Sequence, residues 1–122
     1  MLVLESKNIE RADERREIPH GHVDVVELPG LTLGRVVLEP GWRWSESVKP
    51  IEGTDSCQHR HAGYVASGRL HIRMNDGTEK DVAQGDVMVC DPGHDAWTVG
   101  DQPCVLFDVA SSVADYAAPS KS

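Results

Sequence analysis

From His22 onward, apolar and polar positions alternate with a period close to two, the pattern of strands with one covered face and one wet face. In "HVDVVEL" and "LTLGRVVLE" two β-branched runs are separated by a Pro-Gly pair, the punctuation of a hairpin or meander. "PGWRWSE" follows, and alternation puts Trp42 and Trp44 on one face of a strand. The clearest signal is "GYVASGRLHIRMNDGTEKDV", where Leu70, Ile72 and Met74 alternate with Arg69, His71 and Arg73. Asn75, Asp76 and Gly77 tolerate the positive φ angles of a tight hairpin turn. "AQGDVMVCDPGHDAW" reads as a glycine turn, a short buried strand and a second turn at Pro92 and Gly93, and "PCVLFDVA" sets Val105, Phe107 and Val109 on one face.

Short strands punctuated by turn residues every eight to twelve positions or so predict an all-β sandwich or barrel over residues 21–111. Ahead of it, "ESKNIERADERRE" offers only Ile9 and Ala12 to an apolar stripe, so residues 1–20 are expected to form a charged N-terminal arm, as a short surface helix or irregular chain. Residues 112–122 are small and polar, which predicts a flexible C-terminal tail with Tyr116 as the residue able to fold back and anchor it.

Composition narrows the function classes. The chain has 122 residues, the size of one domain, and its single Phe, two Tyr and three Trp leave the core to aliphatic side chains. A net charge of −8 repels a phosphate backbone, so nucleic acid is not an expected partner. No apolar run approaches the roughly 18 residues of a membrane span and the start lacks the order of a secretion signal, so the expectation is a cytoplasmic protein without a membrane partner. The three cysteines, Cys57, Cys90 and Cys104, have no Cys-x-x-Cys spacing and are read as reduced thiols, with Cys90 and Cys104 as packing residues. Phosphate loops, nucleophile elbows and the zinc-protease helix motif are all missing from the sequence.

Two segments carry a resemblance. "GDVMVCDPGHDAW" resembles the second signature motif of the cupin family, and "HRHAGYVASGRL" resembles the end of the first, where a tyrosine-valine strand ends in glycine. The resemblance covers about residues 35 to 110 and implies a cupin-type jelly-roll β-barrel. Metal-binding cupins carry a His-x-His pair, then a glutamate, then a histidine after the second turn. With Tyr64 and Val65 as register, the glutamate position falls on His61, the His-x-His pair on Asp55 and Cys57, and the last histidine on Ala96, two residues past His94. A second register equates "HRH" itself with the pair but leaves no carboxylate before Gly68, and the first is preferred.

The resemblance thus implies metal ligands drawn from Asp55, Cys57, His59, His61 and His94, with His61 and His94 as the catalytic pair. Side chains at 55, 57 and 61 share a parity along a regular strand, as do 94 and 96, so they could converge inside a barrel. Two imidazoles with a carboxylate suit an open transition-metal site, including the triad of nonhaem iron oxygenases, and a thiolate draws the preference toward zinc. The ion is left open among zinc, iron, manganese and nickel. Trp42, Trp44, Tyr64 and Trp97 are the candidate walls of a pocket for a small-molecule ligand. Two readings stand: a small metalloprotein with isomerase- or dioxygenase-like chemistry, and a sensor or binding barrel without metal. The resemblance also implies a homodimer paired through strands near the N-terminus.

Overall fold

The computed structural model describes residues 2–110 together with Val113, Tyr116 and Ala117. Among these, nine strands carry the fold: β1 (Glu14–Ile18), β2 (Gly21–Leu28), β3 (Leu31–Leu38), β4 (His61–Ser67), β5 (Arg69–Met74), β6 (Glu79–Ala83), β7 (Val87–Cys90), β8 (His94–Thr98) and β9 (Cys104–Asp108). Two one-turn helices, α1 (Trp44–Ser47) and α2 (Lys49–Glu52), lie between β3 and β4. The strands form a six-stranded sheet in the order β1-β2-β3-β9-β4-β7 and a three-stranded sheet in the order β6-β5-β8. Every named pairing is antiparallel.

The core lies between the two sheets. Val23, Val25, Val36, Leu38, Val65 and Leu106 of the larger sheet meet Leu70, Ile72, Val82 and Ala96 of the smaller one, all buried in one apolar cluster. This is the all-β barrel the alternation called for, in the jelly-roll form the resemblance implied. The β5–β6 hairpin forms where expected, with Met74 N–H donating to Thr78 O at 2.8 Å and Gly77 at φ 93°.

Three local expectations are corrected, and the inward face of β9 is settled. The charged arm is not a surface helix: residues 9–11 form a 3-10 turn capped by Asn8, and Glu14–Ile18 become the edge strand β1 along β2. Alternation turns Arg16 and Ile18 inward, and the Arg16 guanidinium donates to Val113 O at 3.2 Å and Tyr116 O at 2.7 Å. "PGWRWSE" is not a strand, because the Arg43 and Trp44 carbonyls accept from Ser47 and Val48 N–H and start α1 instead. β7 is buried on only one face: it has β4 as its sole neighbour and leaves Val87 and Val89 82% and 69% exposed. In β9 the inward face is Cys104, Leu106 and Asp108, since the register opposes Leu38 to Cys104 and Val36 to Leu106. Val105, Phe107 and Val109 take the other side.

Most of the segment 112–122 lies outside the described residues. The three that are described, Val113, Tyr116 and Ala117, are buried in the fold.

Candidate metal centre

His61 opens β4 and His94 opens β8, and backbone pairing brings a third donor beside them. Cys57 forms an isolated bridge with His94: Cys57 N–H donates to His94 O at 2.8 Å, and Gly93 N–H to Cys57 O at 2.7 Å. The result is a cluster in which one donor atom each from Cys57, His61 and His94 lies within 4.8 Å of the others. The two imidazoles stand 5.2 Å apart between ring centroids.

Each imidazole is held by one nitrogen. His61 Nδ1 donates to Asp108 Oδ2 at 2.6 Å, and Asp108 is fully buried. The second oxygen of Asp108 accepts from Ala62 N–H at 3.3 Å and Ala110 N–H at 2.9 Å, so the carboxylate is fixed by backbone on both flanks. This leaves His61 Nε2 on the side of Cys57, with Sγ 3.5 Å away. His94 Nδ1 donates to Asp91 O at 2.9 Å and has the Cys90 thiol at 3.3 Å, which leaves its Nε2 without the proton. Histidines that bind metals are commonly oriented in this way, one nitrogen on a carboxylate or carbonyl and the other on the ion.

Strand packing fixes this geometry. Gly63 pairs with Asp108, and a Cβ at Gly63 would stand 1.7 Å from the Phe107 carbonyl oxygen, so only glycine allows β4 and β9 to approach this closely. Gly68, at φ 79°, closes the same strand against the Pro103 carbonyl, where a Cβ would come to 2.2 Å.

The protonation states follow from burial. Desolvation lowers the His94 pKa to about 4, keeping the ring neutral at pH 7 and its Nε2 lone pair available. Burial pushes the Cys57 thiol up to about 12 and the Cys90 thiol up to about 11, so both are protonated without an ion. The donor set fits a borderline-soft divalent cation, which would displace the thiol proton on binding.

A cavity of about 40 Å³ adjoins the cluster, lined by His61, His94, Trp42, Trp44 and Tyr116 with aliphatic side chains of both sheets. Tyr116 is buried and stands edge-on to His61 with 5.0 Å between ring centroids. A larger hollow of about 510 Å³ lies along β6 and β7 and shares Ile72, Met88 and Cys90 with the first.

Of the residues proposed from sequence, Cys57, His61 and His94 are brought together, and Trp42 and Trp44 line the cavity beside them. The rest go elsewhere. Asp55 is on a turn before the bridge, its side chain fully exposed and 3.9 Å from Lys49 Nζ, so it does not reach the cluster. His59 precedes β4, where strand alternation does not apply, and its Nε2 lies 3.2 Å from Glu52 Oε1. Tyr64 is on the opposite face of β4 from Val65 and is 46% exposed. Trp97 is on the outer side of the small sheet, stacked on His71 at 4.6 Å and under the Arg43 guanidinium at 4.3 Å. Sequence reasoning missed Asp108, although an acid on a strand otherwise made of apolar residues and a cysteine, "CVLFD", was a visible signal for a buried partner.

Comparisons with known proteins agree with this architecture. A family model described as "Cupin domain" matches residues 34–110. The polyketide cyclase RemF from Streptomyces resistomycificus superposes with a TM-score of 0.62 and 16% identity, over 88% of this chain and 79% of the cyclase. Ectoine synthase from P. lautus gives 0.65 at 13% identity, over 92% of this chain and 85% of the synthase. A protein of unknown function from Rhizobium leguminosarum gives 0.64 at 17% identity, over 89% and 97% of the two chains. At these identities the structural likeness speaks to the fold alone. No curated protein sequence matches the chain. No helix among the described residues is long and apolar enough to cross a membrane.

Proposed function

Because this chain belongs to the cupin family, we propose that its barrel holds one divalent transition metal on Cys57, His61 and His94 and presents it to a small organic molecule. The orientation of the two imidazoles carries this reading. Asp108 and the Asp91 carbonyl each take one ring nitrogen, His61 Nε2 lies 3.5 Å from Cys57 Sγ, and one donor atom from each of Cys57, His61 and His94 lies within 4.8 Å of the others. Of zinc, iron, manganese and nickel, the thiolate favours zinc, since hard oxygen-seeking ions gain little from sulfur. With Asp55 turned to solvent, the two-histidine, one-carboxylate set of nonhaem iron is not assembled on that residue.

When bound, such an ion supplies Lewis acidity to a substrate oxygen or lowers the pKa of a water molecule. The chain's own residues do the rest. Asp108 holds the proton on His61 Nδ1, Trp42 and Trp44 exclude bulk water from the cavity, and Tyr116 closes it beside His61.

Elemental analysis of protein purified from its native host tests this reading. One equivalent of metal, lost in His61→Ala with the fold intact by circular dichroism, is expected. Metal-free protein whose melting temperature does not respond to zinc, iron, manganese or nickel overturns it. A second reading, a binding barrel without metal, is favoured by the Cys57 thiol, which burial pushes up to about 12 and so keeps neutral. In that case organic ligands raise the melting temperature and chelators leave it unchanged.

A further inference from the structure

Among the described residues, three buried side-chain nitrogen or oxygen atoms have no hydrogen-bond partner, and two of them are the indole Nε1 atoms of Trp42 and Trp44. The third, Arg35 Nε, belongs to a guanidinium whose other nitrogens bind Glu10 and Asp24 outside the barrel. Both tryptophans are about 98% buried or more, and both line the cavity that holds His61 and His94. A buried N–H left unpaired is costly, and native interiors rarely keep one, so two in a single cavity mark a place where an acceptor is missing.

No acceptor of the cavity wall lies within hydrogen-bonding distance of either indole N–H. Apart from His61, His94 and Tyr116, the wall consists of aliphatic side chains, Met88, the Cys90 thiol and the two indoles themselves. The indole donates only, so the occupant must bring lone pairs. A carboxylate presents about four acceptor positions and no proton, whereas the matching amide would set its own N–H against the indoles. The volume of about 40 Å³ admits roughly three water-sized groups, the dimensions of a carboxylate head.

We propose that Trp42 and Trp44 form a two-donor clamp for the carboxylate group of a small organic acid, seated beside the Cys57, His61 and His94 cluster. The inference rests on the reading of that cavity as the ligand site and names the class of ligand it takes. The negative head also complements a divalent cation on the three donors.

The test uses formate and acetate as probes, with formamide and acetamide as uncharged controls. ¹⁵N-labelled protein is titrated in both zinc-loaded and metal-free forms while the indole N–H resonances are followed. A Trp97→Phe variant identifies the resonance of the tryptophan outside the cavity. Formate and acetate are expected to move the Trp42 and Trp44 indole protons downfield in at least one form, leaving Trp97 in place, with no such movement for the amides. Trp44→Phe and Trp42→Phe are each expected to weaken formate binding about tenfold, whereas Trp97→Phe, outside the cavity, leaves it unchanged. If a variant does not fold, the wild-type titration decides alone. Indole resonances that ignore the carboxylates in both forms, or respond equally to the amides, overturn the proposal. Failure of zinc to bind overturns the metal reading instead, and the metal-free titration then still tests the clamp.

Discussion

Replacing Asp108 with asparagine tests the argument on which the candidate metal centre depends. The side chains have nearly the same shape, so packing in this fully buried position is preserved. Asp108 now accepts on both sides: from His61 Nδ1 at 2.6 Å, and from Ala62 and Ala110 N–H at 3.3 and 2.9 Å. An asparagine oxygen facing the two backbone donors presents its NH₂ to His61. Nδ1 must then accept, the proton moves to Nε2, and the lone pair needed by a metal is lost. The flipped amide restores His61 but sets NH₂ against two buried N–H groups, at about 1–3 kcal/mol for each left unsatisfied.

Either outcome weakens zinc binding, by about 10–100-fold for loss of such an orienting partner, or roughly 1.4–2.8 kcal/mol. At a zinc concentration 100 times the wild-type Kd, zinc stabilises the wild type by about 2.7 kcal/mol, and a thirtyfold loss of affinity cuts this to about 0.9 kcal/mol. Calorimetry with a competing chelator measures the affinity, and urea denaturation with and without zinc measures the linkage. A folded Asp108→Asn protein that binds zinc within about twofold of wild type refutes the claim that Asp108 sets the His61 tautomer.

Three further outcomes are expected. Burial holds the Cys57 thiol at about 12, which opposes thiolate formation by about 7 kcal/mol at pH 7; zinc binding should therefore release close to one proton from this residue, and affinity should rise about tenfold per pH unit between about pH 7 and 9. Calorimetry in buffers of different ionisation enthalpy measures the release, and its persistence in Cys57→Ala would exclude the thiol as its source. The His71 pKa is raised by hydrogen bonds to Glu79 and Asp81, so its stabilising contribution is complete below the unfolded value of about 6.5 and is lost as pH rises through the folded value; the stability gap between wild type and His71→Asn in urea should be larger at pH 6 than at pH 9, and an equal gap would contradict this. Gly63→Ala should cost roughly 3 kcal/mol or more, because its Cβ would meet the Phe107 carbonyl at 1.7 Å, and soluble protein with an unchanged urea midpoint would show that β4 and β9 are less closely held.

The barrel was legible because period-two alternation is a property of single strands, and β5 shows it in Leu70, Ile72, Arg69 and Arg73 without any tertiary information. Which face of β9 points inward was not, since both faces carry apolar residues and only the register with β3 decides it. "PGWRWSE" alternates like a strand, yet its neighbours close helical turns, so the burial of both tryptophans was foreseen for a different reason than the one that holds. At the candidate site, Cys57 and His61 came from their offsets from the tyrosine-valine strand, and His94 from its parity with Ala96, where the resemblance places the last histidine. Asp55 failed because the chain before Cys57 is a turn, where parity carries no direction. Asp108 is 47 residues from His61, beyond the reach of any local spacing rule.

The close approach at Gly63 divides the site into unequal halves. His61 and Asp108 ride on adjacent, tightly packed strands and can be altered only by disturbing a sheet, whereas Cys57 hangs from a loop by a single backbone bridge. Exchanging the donor on the loop leaves the β4–β9 pairing in place, although Cys57 is fully buried in the core and its replacement must fit the same volume. On the proposed metal reading, the donor at position 57 is therefore the one that can be exchanged for a side chain of similar size without shifting a strand of the sheet.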